Sequence, residues 1–111
     1  MVTNAIPDHL KSFINDHIDS VQTLEILISL GEESGRWWSA RELAGKLYMQ
    51  EESVRGRLTS LAAAGLVAVD ESAEHFSYQP VDDRLVGLVQ ELSREYKVRR
   101  TAVITLIFTP L

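Results

Sequence analysis

Residues 39–69 read SARELAGKLYMQEESVRGRLTSLAAAGLVAV, and this stretch carries the clearest structural signals in the chain. Ser39 and Glu42 have the Ser-x-x-Glu spacing of a capping box, which predicts a helix that begins at Ala40. Apolar residues then recur at steps of three and four, as they do on one face of a helix. They are Ala40, Leu43, Ala44 and Leu47. Because the distance between packed helices depends on side-chain size, the small Ala44 predicts close contact with a second, steeply crossing helix.

The second helix should follow a short turn at residues 48–50. Glu51 and Glu52 would lie in its first turn, where carboxylates interact favourably with the positive end of the helix dipole. Gly65 should end it, since glycine is favoured just beyond a helix C-terminus. Its buried residues are predicted to be Val54, Leu58, Leu61 and Ala62. The stretch therefore predicts two helices, residues 40–47 and 51–64, joined by a tight turn.

A hairpin is predicted beyond Gly65, from strand-like segments at residues 66–70 and 75–81 with an acidic tip between them. Alternating apolar side chains would leave one face for the core. They are Val67, Val69, Phe76 and Tyr78. A short strand should also precede the first helix, and its neighbouring Trp37 and Trp38 would point to opposite faces. The exposed ring could contact a partner or ligand, or could simply pack over the hairpin, as aromatic strand residues commonly do.

The apolar pattern of this region resembles the DNA-binding unit of bacterial winged helix-turn-helix transcription regulators, including the ArsR-like and MarR-like groups. The matching residues are Leu43, Ala44 and Leu47, then Val54, Leu58, Leu61, Gly65 and Leu66, followed by the hairpin. The resemblance covers about half of the chain and implies a mainly α fold with a small β-hairpin wing (α+β). Two residues depart from the pattern. Tyr48 replaces the usual glycine of the turn, and Gln50 stands where a Ser or Thr cap is expected.

We expect one domain over residues 1–111, with an N-terminal arm helix at 7–18, a winged-helix core at 20–81 and a C-terminal helix at 82–108. Pro7 suits the first turn of the arm helix. Asp19 and Gln22 can cap the next helix, although the arm and that helix could also form one bent helix. In the winged-helix comparison, an added arm of this kind commonly serves dimer contacts.

The C-terminal segment is the most apolar part of the chain. Residues 101–108, TAVITLIF, contain β-branched residues that would allow a strand, but they extend the preceding helical stripe without a turn signal. We therefore predict one long helix. A helix this apolar must be covered, by a second subunit or partner or by its own N-terminal arm. The predicted homodimer interface is Leu10, Phe13, Leu88, Leu92, Val103, Leu106 and Ile107.

The charge of the chain argues against a strongly DNA-binding surface. The formal net charge is −5 and the pI is about 5.1, whereas DNA-binding domains commonly carry a basic patch. The wing, residues 67–80, has three acids and neither Lys nor Arg. A protein-interaction module that does not bind DNA directly is therefore the alternative function. Small effectors are common among such regulators, but the sequence names none.

Double-stranded DNA would be contacted by the second helix of the motif, whose N-terminal half enters the major groove in helix-turn-helix proteins. Gln50 could contact adenine, Arg55 guanine, and Glu52 could accept a hydrogen bond from cytosine. Ser53 and Thr59 lie on the same exposed face, and the candidates for phosphate contacts are Arg41, Lys46 and Arg57. Alternatively, the arginines belong to a solvated helix face with partners four residues away, such as Glu51 for Arg55.

The sequence gives no support for an enzyme. It has no cysteine, Gly-rich phosphate loop or HExxH motif, and its three histidines are scattered. We expect no cofactor and no metal site. The first residues lack the basic and apolar regions of a signal peptide, and no apolar run is long enough to cross a membrane. These features predict a cytoplasmic protein without membrane contact.

Overall fold

The computed structural model describes residues 6–109. Its elements follow in the order α1 (Asp8–His17), α2 (Val21–Glu32), β1 (Trp38–Ser39), α3 (Ala40–Leu47), α4 (Glu51–Ala63), β2 (Val67–Val69), β3 (His75–Tyr78), α5 (Asp83–Val98) and α6 (Arg100–Phe108). The strands form an antiparallel sheet in the order β1-β3-β2. This helical protein with a small sheet has an α+β, winged-helix-like fold, as predicted.

The helix pair α3–α4 forms as its sequence predicts. The Glu42 amide donates to Ser39 Oγ at 3.0 Å, and the Ser39 amide donates to Glu42 Oε1 at 2.9 Å, which completes the capping box. Ala44 is buried against α4, whose Val54, Leu58 and Leu61 are buried in turn. Small and branched apolar side chains thus fix α4 against α3 and leave its opposite face outside the core.

The turn between α3 and α4 has a left-handed residue that is not glycine. Tyr48 has φ 56°, and its side chain is 97% exposed. L-residues adopt this conformation at a cost, because Cβ approaches the following carbonyl oxygen. At the other end of α4, Gly65 has φ 80°, and a Cβ there would lie 3.0 Å from Val81 Cγ2. Glycine is thus required where α4 ends, as predicted.

The sheet buries one tryptophan and exposes the other. Trp38, which pairs with Phe76, is 3% exposed, whereas Trp37 is 42% exposed. Val69 is also exposed, and Ser77 is fully buried beside the buried Phe76. The predicted inward position of Val69 was therefore wrong, since Val69 is the last residue of β2 at the edge of the sheet.

The N-terminal region forms two separate helices. Ser20 caps α2, since its Oγ accepts from the Thr23 amide at 3.1 Å. The predicted caps Asp19 and Gln22 were wrong, because Asp19 instead accepts from the Thr23 hydroxyl at 2.7 Å. Ser20 is the nearest residue with extended backbone and a short acceptor side chain before α2.

The C-terminal region is helical but interrupted. Arg99 has φ −125° and ψ 53°, which is not helical, so the predicted single helix was wrong. The break lets α6 pack against α1. No helix within residues 6–109 has the length and apolar character needed to span a membrane.

The side chains predicted to form a dimer interface mostly face their own chain. Six are buried: Leu10, Phe13, Leu88, Leu92, Val103 and Ile107. Leu106 is partly buried against the same core. These residues therefore fit the alternative in which the C-terminal helix packs against its own N-terminal arm. Within the chain α1 packs against α5 and α6, and the homodimer interface stays a prediction.

Candidate nucleic-acid interface

The outer face of α4 is open to solvent along its length. Glu51, Glu52, Arg55 and Thr59 are exposed, while the inward residues of the same helix are buried. Gln50 precedes the helix and is exposed, and its side chain makes no capping hydrogen bond. The predicted base-reading residues Gln50, Arg55 and Thr59 thus lie on one accessible surface. We call the outer face of α4 and these residues the α4 face.

Arg55 forms an ion pair with Glu51 on the α4 face, as expected if the arginines belong to a solvated helix face. Its Nη2 lies 3.3 Å from Glu51 Oε2, one helical turn away, and both side chains are about half exposed. Exposed pairs of this kind contribute little to stability. Thr59 donates its hydroxyl to the Arg55 carbonyl oxygen at 2.9 Å. Arg55 can therefore exchange its carboxylate partner for another acceptor at small cost.

Arg57 is turned away from the α4 face and joins α4 to the start of α2. Its Nη1 donates to Ser20 Oγ at 2.7 Å and to Thr23 Oγ1 at 3.1 Å, and it lies 3.4 Å from Asp19 Oδ1. Its Nε donates to Ser53 Oγ at 3.2 Å. The phosphate role of Arg57 stays a prediction, while its Nε and Nη1 donors are engaged within the chain.

Ser53 belongs to the same cluster. Besides accepting from Arg57, its hydroxyl lies 3.4 Å from Gln22 Oε1 on α2. Ser53 is half-buried, unlike its exposed neighbour Glu52. Sequence reasoning placed Ser53 among the base-reading residues, whereas the structure places it at the junction of α2 and α4.

The two other predicted phosphate contacts lie on α3. Arg41 is exposed and has no ion-pair partner within residues 6–109. Lys46 is exposed too, but its Nζ lies 3.2 Å from Glu33 Oε2 and 5.2 Å from the centre of the Trp38 ring. The hydrogen bond from Lys46 and that from Arg36 lower the pKa of Glu33. Arg41 is thus available for a new anion, and Lys46 must first leave Glu33.

Tyr48 was missed as a candidate site residue. Its side chain projects from the α3–α4 turn and is almost fully exposed, next to Gln50 in the chain. The sequence signal was the tyrosine at a turn position usually held by glycine. A tyrosine hydroxyl can donate to a phosphate oxygen.

The wing tip is closed by one carboxylate. Asp70 accepts from the amides of Glu74 and His75, at 3.0 and 3.1 Å, and from the ring of His75 at 2.8 Å. Desolvation would raise the pKa of Asp70, but these bonds and one from Ser72 outweigh it and lower the pKa to about 2. The tip therefore stays negatively charged at neutral pH, which repels phosphates.

No group of three or more His, Cys, Asp or Glu side chains within residues 6–109 could hold a metal ion. The His9 ring contacts Glu91 at 2.7 Å, and His75 contacts Asp70, so these two histidines lie in separate pairs.

Comparison with known proteins identifies the fold. No family model and no curated protein sequence matches the chain. Among solved structures, the chain is similar to a protein from Methanosarcina mazei Go1 named "Possible transcriptional regulator", with a TM-score of 0.58 and 11% sequence identity. The similarity covers 91% of this chain and 90% of the other. At this identity the comparison shows a shared fold, and the name of that neighbour is of a regulator and not of an enzyme.

Proposed function

We propose that the protein is a DNA-binding transcription regulator that places the α4 face in the major groove. The observation that carries the proposal is the exposure of this face on a helix held rigidly by α3 in a winged-helix-like fold. Major grooves admit one α-helix, and the N-terminal residues of a recognition helix contact base edges. The regulatory name of the M. mazei structure agrees with this proposal.

Base contacts would come from Gln50 and Arg55. Arg55 can donate two hydrogen bonds to guanine N7 and O6, and Gln50 can donate one to adenine N7 while its amide oxygen accepts one from adenine N6. Gln50 has no capping bond to lose, and Arg55 would give up only an exposed pair with Glu51. Glu52 would accept from cytosine or, opposite another base, disfavour binding. Because these three side chains include both hydrogen-bond donors and acceptors, they favour sequence-specific binding over binding to any duplex.

Phosphate contacts would come from the α3 side of the motif. Arg41 has no acidic partner within residues 6–109, and Lys46 has only the exposed Glu33. Tyr48 would add a hydroxyl donor between them and α4. The acidic wing tip would lie away from the phosphate backbone of the DNA. With so few cations, affinity should depend on base contacts more than on non-specific attraction, which arises from neutralised phosphates.

The test begins with selection of duplexes from a random-sequence pool by the purified full chain. Anisotropy of a selected duplex is then followed across salt concentrations, where each neutralised phosphate contributes a slope of about −0.9 in log affinity against log salt. We expect a measurable slope for the parent and a smaller one for Arg41→Ala. Arg55→Ala should weaken binding to the selected duplex and reduce its preference over a scrambled one.

Arg84→Ala is the matched control, because Arg84 is exposed on α5, also lacks an ion-pair partner within residues 6–109, and lies outside the motif. It should bind as the parent does. Failure to select any sequence, or binding that Arg41→Ala and Arg55→Ala leave unchanged, would contradict the proposal. Such a result would favour the protein-interaction alternative that the acidic charge suggests.

We keep dimerisation in the proposal without assigning its interface. A two-fold DNA site would need two copies with half-sites about one helical turn apart. Six of the seven side chains predicted for the interface are buried within the chain, and Leu106 is partly buried. Light scattering of the free and the DNA-bound protein tests this directly. A protein that stays monomeric on DNA would limit recognition to a single half-site.

A further inference from the structure

A groove that the α4 face does not use lies between the C-terminal half of α2, the end of β3 and α5. Its volume is about 530 Å³, which is within the range of small-molecule sites. Ile28 of α2, Val86 of α5 and the ring of Tyr78 contribute apolar surface to it. We call it the α2–α5 groove. A ligand with an apolar body would find a matching floor there.

Two cations without acidic partners line the same groove. Arg94 and Lys97 lie one turn apart on α5, both exposed, and neither forms an ion pair within residues 6–109. By contrast, most other Lys and Arg side chains of the chain are paired with carboxylates. Glu32 is the one acidic residue among those that line the groove, so the local charge is positive although the chain is acidic.

Tyr78 adds a hydrogen-bond donor next to the apolar floor. Its hydroxyl has no hydrogen-bond partner within residues 6–109, and burial raises its pKa above the usual value of 10.0. The phenol is therefore protonated at neutral pH. Gln90, which also lines the groove, makes no side-chain hydrogen bond in the described part of the chain. Both groups can serve a ligand without giving up a contact inside the protein.

We propose that the α2–α5 groove binds a small organic anion, with its apolar body against Ile28, Val86 and the Tyr78 ring and its acidic group at Arg94 and Lys97. A neutral apolar ligand would leave both cations without a partner. An inorganic anion would leave the apolar floor in water. An organic carboxylate or sulfonate uses both parts, since a charge-assisted hydrogen bond is stronger than a neutral one. This inference does not depend on DNA binding, because it concerns the free protein.

The test is a titration of the ¹⁵N-labelled full chain, without DNA, by 2-naphthoate and by its neutral counterpart 2-naphthamide. We expect saturable shifts of the amides of Gly31, Gln90 and Lys97 with 2-naphthoate. The amide should bind about tenfold more weakly, which corresponds to about 1.4 kcal/mol. The double variant Arg94→Ala with Lys97→Ala should lose at least as much affinity for 2-naphthoate and bind the amide as the parent does.

Arg84→Ala is again the control, because it removes an exposed cation from the same helix outside the groove. It should leave the 2-naphthoate affinity unchanged. Tyr78→Phe, which keeps the ring, should weaken binding by a smaller factor than the double variant. The proposal is overturned if 2-naphthoate gives no saturable shifts, if naphthamide binds equally well, or if the double variant has no effect. None of these results would bear on duplex binding, which is measured separately.

Discussion

Replacing Arg57 with alanine should destabilise the fold, because this side chain joins two helices that are distant in sequence. Its guanidinium donates to Ser20 and Thr23 at the start of α2 and to Ser53 on its own helix, at 2.7, 3.1 and 3.2 Å. Asp19 lies beside it at 3.4 Å. The sequence alone suggested an exposed residue that contacts phosphate. The contacts in the structure predict a contribution to stability.

The magnitude follows from these contacts. A hydrogen bond that involves a charged group contributes about 1.5–3 kcal/mol when both partners are shielded from water. The Arg57 side chain is 26% exposed, so solvent weakens its interactions. Thr23 is buried but keeps Asp19 as a partner for its hydroxyl, so the substitution leaves no buried group unpaired there. We therefore expect a loss of about 1–3 kcal/mol in the free energy of unfolding.

Urea unfolding followed by circular dichroism measures this loss, since the free energy falls linearly with denaturant. Arg55→Ala is the matched control, because it removes an arginine two positions away whose exposed pair with Glu51 is worth about 0.5 kcal/mol or less. Arg57→Lys, which keeps the charge but loses the fork of donors, should fall between the parent and Arg57→Ala. Equal stability of Arg57→Ala and Arg55→Ala would refute the structural role of Arg57.

Three other substitutions test local features. Tyr48→Gly should raise the free energy of unfolding by up to about 1 kcal/mol, because it relieves a left-handed residue whose ring is exposed; a marked loss in urea unfolding would contradict this. Ser39→Ala should cost about 1 kcal/mol by removing the cap of α3, and an unchanged urea midpoint would speak against the capping box. Asp70 has its pKa lowered to about 2 from 3.8, so its contribution to stability is present above pH 3.8 and is lost as the pH falls towards 2. The stability difference between the parent and Asp70→Asn, measured by urea unfolding at several pH values, should shrink over that interval, and a constant difference would rule out this linkage.

The helix pair could be predicted because its signals are local. The capping box at Ser39, the apolar repeat and the glycine at position 65 all act within a few residues, so the sequence places them without knowledge of the rest of the fold. The exposure of Gln50, Arg55 and Thr59 follows from the same helical period. For these residues the sequence and the structure agree on position, while their function remains a proposal.

The features that sequence reasoning missed depend on distant contacts. Arg57 meets residues 34 and 37 positions earlier in the chain, and no local pattern distinguishes it from an exposed arginine. The helix break at Arg99 has neither glycine nor proline beside it and comes with the packing of α6 against α1. The same packing buries Leu10 and Val103, which an isolated apolar helix would have offered to a second subunit.

Protection of a single cysteine by DNA would show whether the α4 face binds the duplex. The chain has no cysteine, so Thr59→Cys places the one reactive thiol on the α4 face. Gly87→Cys is the control, because Gly87 is exposed on α5 and a Cβ there meets no atom within 4 Å. Alkylation by a maleimide is timed with and without a selected duplex. We predict that the duplex slows alkylation at position 59 and leaves the rate at position 87 unchanged. Equal rates at position 59 with and without the duplex would contradict this prediction.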